Sequence, residues 1–261
     1  GYISADNLVL PSKNRALLFG DGMFETIIYK NGTLRFFDDH FERLTKGLSE
    51  LGISIESFSK EGLASEIKEL CFVNALSQAR IKVICWRKTG NMVGYNGESQ
   101  EFDYHITTLA TEAPRFQMIK SLGLANTVRL VHSITSAFKT LSSLPYVLAS
   151  NEKNNSHFGE LVLTDTDLNV SECTSSNIFW IEDDQLFTPP LETGCVDGIM
   201  RKQIKESFHV IEQSVTYPEL SNKKVIFSTN VAQLSVYKTI DNHKLSLQHP
   251  LIIKIKQLWE L

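Results

Sequence analysis

Strand-like and helix-like stretches follow one another in this chain in an irregular order, and that order constrains its fold more than any other feature. Residues 23–29 are rich in strand formers and run into Asn31-Gly32, a pair that favours a two-residue hairpin turn. Phe41, Leu44, Leu48 and Leu51 then recur at helical spacing behind Asp38 and Asp39, which stand where an N-cap belongs. His40, Arg43 and Gly47 fall on a neighbouring stripe of the same helix. The pattern predicts a second amphipathic helix over 60–73, then strands over 80–87 and 102–109 joined by the glycine- and asparagine-rich loop 89–97. Further strands are predicted over 128–132, 160–164, 177–181 and 225–228, with an Asp-Thr-Asp-Leu-Asn hairpin between 160–164 and 177–181. Helices are predicted over 145–155, from Gly198 and after Pro250. A doubly wound sheet requires strict strand–helix alternation, so this order favours an α+β chain of two domains. Thr111-Glu112-Ala113-Pro114 interrupts the strand pattern. Residues 1–110 are therefore predicted as a smaller N-terminal domain, 111–116 as the linker and 117–261 as a larger C-terminal domain.

Composition narrows the function classes. With 42% hydrophobic and 21% charged residues among 261, the chain is globular in character and not disordered. A net charge of -4 gives no basic surplus for nucleic acid. None of the four cysteines, Cys71, Cys85, Cys173 and Cys195, forms a Cys-x-x-Cys pair, so no metal site is expected. They read as buried thiols of a reducing compartment. No apolar run approaches the ~20 residues that span a bilayer. Residues 1–6 carry no signal-peptide pattern, and the expectation is a cytoplasmic enzyme acting on a small molecule.

Taken singly, the residues that could carry chemistry leave two readings each. Lys139 lies among apolar neighbours in Ser-Ala-Phe-Lys-Thr-Leu, as a snorkelling surface residue or as a desolvated amine. Glu172, in Val-Ser-Glu-Cys-Thr-Ser-Ser-Asn, is an exposed strand residue or a carboxylate that faces a cationic ring nitrogen. Gly198-Ile199-Met200-Arg201 opens a helix whose free N–H groups could hold a phosphate, or simply turns the chain. Ser228-Thr229-Asn230 ends a strand as a turn or as a phosphate contact, and Arg43 is by default a solvated helix residue.

In order along the chain, these pieces resemble the class IV aminotransferases, pyridoxal 5'-phosphate (PLP) enzymes of fold type IV with the D-amino acid aminotransferase-like fold. The resemblance runs through Arg15-Ala-Leu-Leu-Phe-Gly-Asp-Gly-Met-Phe-Glu-Thr, Phe37-Asp-Asp-His-Phe-Glu-Arg-Leu and Lys139-Thr-Leu. It continues through Glu172-Cys-Thr-Ser-Ser-Asn-Ile-Phe, Gly198-Ile-Met-Arg and Ser228-Thr-Asn. It implies that Lys139 is the Schiff-base lysine and proton shuttle, and that Glu172 pairs with the pyridine nitrogen so that the ring accepts electrons. It further implies that Arg43 binds the phosphate, that Ile199 and Met200 offer it backbone N–H groups, and that Asn230 adds a side-chain contact. A homodimer is implied as well.

Two activities of the family compete. The Glu172 motif ending in Trp180, the Gly198-Ile-Met-Arg motif, Asn230 and Phe24-Glu25-Thr26 look like 4-amino-4-deoxychorismate lyases, which release pyruvate and 4-aminobenzoate. The alternative is a branched-chain or D-amino acid transaminase. Some lyases carry an extra arginine where this chain has Met92-Val93-Gly94-Tyr95, and a substrate with two carboxylates needs cations; Arg87, Lys88 and Arg35 are the candidates. Two readings lie outside the family's chemistry. One is a protein that kept the fold and lost the cofactor, against which Lys139, Arg43 and Glu172 stand together. The other is a thiol enzyme built on Cys173 or Cys195.

Overall fold

The computed structural model describes residues 7–90, 94–112 and 115–259. The chain forms two compact units, Gly1–Ala113 with Phe138–Ser143, and Pro114–Ala137 with Leu144–Leu261. The expected linker thus ends inside a strand that starts at Arg115, while Ala113 and Pro114 lie outside the described residues. The stretch that carries Lys139 packs with the first unit although 117–261 was expected to be one domain. Backbone pairing explains this. Phe24 N donates to Lys139 O at 2.8 Å, Leu141 N donates to Gly22 O at 2.9 Å, and Met23 bridges Thr140, so the segment extends an edge of the first sheet.

The first unit comprises α1 (Arg15–Phe19), β1 (Gly22–Lys30), β2 (Thr33–Leu34), α2 (Phe37–Glu50), α3 (Lys60–Val73), β3 (Gln78–Arg87) and β4 (Phe102–Ala110). Its antiparallel sheet has the order β2-β1-β3-β4. Asn31 and Gly32 both adopt positive φ, 48° and 86°, and pair Lys30 with Thr33 in the tight turn that their sequence favours. Met23, Ile27, Ile81 and Val83 meet Leu44, Leu48, Leu63 and Ile67 in one core. Asp38 and Asp39 are not the N-cap. The helix begins at Phe37 after a left-handed Phe36, which places both carboxylates in the first turn, where they face the positive end of the helix dipole.

The second unit comprises β5 (Arg115–Leu124), α4 (Leu144–Asn154), β6 (Glu160–Thr164), β7 (Val170–Cys173), β8 (Asn177–Glu182), β9 (Gln185–Thr188), α5 (Ile199–Ser207), β10 (Val210–Glu212), α6 (Tyr217–Ser221), β11 (Val225–Asn230), β12 (Gln233–Ile240), β13 (His243–Lys244) and α7 (Pro250–Lys256). Its sheet runs β10-β9-β8-β11-β12-β5-β6-β7, with β13 on β12. The Asp-Thr-Asp-Leu-Asn hairpin joins β6 to β7, and not to 177–181 as expected. Strand β7 is buried throughout, so Ser171 and Glu172 interrupt the apolar signal that would have marked it. The strand expected over 128–132 is a single bridge from Leu130 to Asp165, because β5 already pairs that side of β6 as far as Val162.

Gly32 sits in open space, so an added Cβ meets nothing and the cost of Gly32→Ala is purely conformational. Loss of about 1–2 kcal/mol is expected from the left-handed φ. Urea unfolding checks it, and an unchanged midpoint would mean that the hairpin does not contribute to the stability of this unit.

Candidate active site

In the first unit the strand period puts Glu25 on the core face of β1, in phase with Met23 and Ile27. A carboxylate 1% exposed requires partners, and α2 supplies two from adjacent turns. Arg43 Nε and Nη2 donate to Glu25 Oε1 and Oε2, each at 2.7 Å, and His40 Nδ1 lies 2.7 Å from Oε2. Burial pushes the Glu25 carboxyl up, but Arg43 and His40 overcome it and bring the pKa from 4.5 down to about 2. Ionised Glu25 only accepts, so His40 Nδ1 carries the hydrogen. Burial holds the His40 pKa below its ordinary value against the opposing pull of Glu25, which leaves the ring neutral at pH 7.

Lys139 lies in the same unit. Its Nζ stands over the Phe24 ring, 4.6 Å from the centroid, and the exposed Lys82 on β3 brings its own Nζ to 4.7 Å from the same centroid. Of the cations considered for substrate carboxylates, Arg87 is buried and committed to Asp21, Ser99 O and Leu51 O. Lys88 pairs with Glu101 at 2.9 Å, and Arg35 is buried against the Phe36 ring. Residues Met92 and Val93 of the loop lie outside the described residues. Gly94, Tyr95 and Asn96 give their carbonyls to Arg15.

In the second unit Glu172 is 3% exposed, not an exposed strand residue. Tyr146 Oη donates to its Oε1 at 2.6 Å, Val196 N donates to the same oxygen at 3.2 Å, and Asn177 Nδ2 donates to Oε2 at 3.2 Å. Ile199 and Met200 form the buried first turn of α5. Gly198, the N-cap, has no side chain to satisfy their N–H groups, and a Cβ there would lie 1.9 Å from Asn177 Oδ1. Arg201 anchors this turn through Asp197 at 2.9 Å, Pro189 O at 3.2 Å and Glu212. Asn230 is engaged in its own hairpin: Oδ1 accepts from Ala232 N and Gln233 N, and Nδ2 donates to Ser175 O.

The thiols are poor nucleophiles. All four cysteines are buried and unbridged. Burial pushes Cys195 up to about 12 and Cys173 well above its ordinary range, so neither offers a thiolate near pH 7. No cluster that could hold a metal ion occurs among the described residues. No helix among them is long and apolar enough to cross a membrane.

Sequence reasoning did not assign Glu25, Lys82, Tyr146 or Asn177. Glu25 was detectable, since it is a charge at the core phase of an alternating strand. The others take part only through spatial neighbours.

The first unit thus offers an arginine and a lysine, and the second a buried carboxylate and a helix start capped by a glycine. The model of class IV amino-transferases matches residues 22–236. The chain belongs to that family. Class IV aminotransferases are PLP-dependent enzymes, and the chain has their fold type IV architecture. It is 26% identical over 244 residues to a D-alanine aminotransferase of Bacillus licheniformis, covering 91% of this chain and 85% of that protein. It is 27% identical over 208 residues to an aminodeoxychorismate lyase of Vibrio harveyi, covering 76% and 72%. A putative 4-amino-4-deoxychorismate lyase from Legionella pneumophila shares its fold with a TM-score of 0.88 at 23% identity, over 98% of this chain and 96% of that one.

The buried cluster of the first unit makes stability depend on pH. A carboxyl lowered from 4.5 to about 2 contributes stability above pH 4.5 that is lost as pH falls towards 2, roughly 3 kcal/mol in all. Neutral buried His40 acts in the same direction, its contribution waning as pH falls below 6.5. Glu25→Gln is expected to cost about 3–5 kcal/mol at pH 7, because it breaks a buried pair. It should also flatten the acid slope. Urea unfolding at a series of pH values reads both, and parallel curves for parent and variant would contradict the assignment.

Proposed function

We propose that this chain is a PLP-dependent lyase that converts 4-amino-4-deoxychorismate into pyruvate and 4-aminobenzoate. The observation that carries the choice of substrate is the pair of ammonium groups over Phe24, 4.6 and 4.7 Å from its centroid. Lys82 sets a second positive charge against the Phe24 ring, which suits a substrate that carries carboxylates as well as an amino group.

In each unit the residues suit one part of the cofactor. Arg43, held in orientation by Glu25, would bind the phosphate, and so would the N–H groups of Ile199 and Met200 at the start of α5. Glu172 would pair with the ring nitrogen and keep it protonated. Asn230 would support the phosphate side through the turn that it organises. Bound there, PLP supplies an electron sink. Lys139 Nζ would take the proton from the carbon that bears the substrate's amino group. The enol-ether C–O bond on the adjacent ring carbon then breaks, and its electron pair leaves with the enolpyruvate oxygen. The ring becomes aromatic, and the released enol gains a proton to become pyruvate.

Transamination is the second reading, favoured by the D-alanine aminotransferase that matches 91% of the chain. The PLP-loaded protein should be given aminodeoxychorismate alone, and separately D-alanine, L-leucine or L-glutamate with a keto acid. The lyase reading expects equal amounts of pyruvate and 4-aminobenzoate in the first case. Amino transfer with no product from aminodeoxychorismate would overturn it. A cytoplasmic homodimer is part of the proposal, and light scattering tests the dimer.

Lys139→Ala is expected to abolish both turnover and the borohydride-reducible link to PLP; a reducible link at another lysine would refute the role given to Lys139. Arg43→Ala is expected to weaken PLP binding by about 10- to 100-fold, the worth of one charge-assisted hydrogen bond, with less effect on kcat at saturating PLP. A fluorescence titration of PLP checks it, and an unchanged Kd would remove Arg43 from the phosphate site.

A further inference from the structure

We propose that Tyr146 is a positioning residue for Glu172, its phenol holding the carboxylate in the orientation and charge state that the cofactor's ring nitrogen needs. The inference rests on the reading above, in which the chain binds PLP with Glu172 at the ring.

Glu172 lies on β7, and three of the groups that hold it come from other places: Tyr146 in the first turn of α4, Asn177 at the start of β8, and Val196 N ahead of α5. The phenol contact is the shortest, at 2.6 Å against 3.2 Å for each of the others. It falls in the range of O–H donors on ionised carboxylates, which are roughly twice as strong as neutral pairs. Asn177 is shared, since its Nδ2 also donates to Val196 O at 2.7 Å. Tyr146 therefore supplies the strongest of these three restraints. Burial, and next the charge of Glu172, push the phenol far above its ordinary pKa, so it remains a donor at any working pH.

A carboxylate that loses a donor takes up a proton at higher pH and rotates more freely. A tyrosine present only for packing would lower stability on truncation without altering the cofactor's spectrum. The test compares the PLP-loaded parent, Tyr146→Phe and Glu172→Gln by pH titration of the visible band, visible circular dichroism and steady-state kinetics. For Tyr146→Phe with parent-like far-ultraviolet circular dichroism, the expected result is PLP affinity within ~3-fold of the parent, since the phosphate contacts are untouched. The visible dichroism should weaken, the acid limb of the kcat profile should move up by about one pH unit, and kcat should fall ~10-fold at little-changed KM.

A Tyr146→Phe protein with the parent's dichroism and pH profile overturns the proposal and leaves Tyr146 as a packing residue. Failure of the parent itself to acquire a PLP band overturns the cofactor reading, a distinct outcome. Should Tyr146→Phe not fold, tyrosine labelled with 13C at Cζ decides the matter in the parent. The resonance displaced by Glu172→Gln should move when PLP is added, and should lose that response in Glu172→Gln. A resonance blind to PLP in the parent overturns the proposal.

Discussion

Glu25 occupies the inner face of β1, and a charge in that position is tolerated only when other groups compensate for it. The compensation is specific. His40 and Arg43 stand three residues apart on α2, on one side of the helix, and both reach the same carboxylate. Rotating α2, or slipping β1 by one residue, would leave a buried charge without its partners. The register of β1 against β3 and the rotation of α2 are thus tied to one interaction, which also fixes the orientation of the Arg43 guanidinium.

The second unit holds its own buried carboxylate differently. The three donors to Glu172 described above are a phenol, a carboxamide and a backbone N–H, all neutral. Dipoles orient a carboxylate without cancelling its charge, whereas the guanidinium at Glu25 largely cancels it. The two glutamates are therefore held by different means, Glu25 by a guanidinium and an imidazole and Glu172 in part by neutral dipoles.

Much of this was legible in the sequence because period and turn chemistry are local. The helix over 60–73 and the strands near 80–87 and 102–109 follow from side-chain spacing, and the Asn31-Gly32 turn from backbone preference. Strand β7 was not legible, because a strand buried on both faces with Ser171 and Glu172 in it has neither alternation nor an apolar run. Strand β5 was hidden by the linker signal just before it. At the candidate site, Lys139, Arg43 and Glu172 stood out through their motifs, whereas Tyr146 and Lys82 take part through tertiary neighbours that no spacing encodes.

The segment Phe138–Ser143 belongs to the first unit, yet it is flanked on both sides by stretches of the second. Neither unit is therefore one uninterrupted length of polypeptide. During synthesis the first sheet stays incomplete along β1 until residue 143 has emerged, and by then β5 of the second unit has already been made. A gene fragment ending at the apparent boundary near residue 113 would encode a sheet without the strand-like segment that bridges Met23, and without the lysine itself. The two halves are interleaved in the chain, so no single cut separates them.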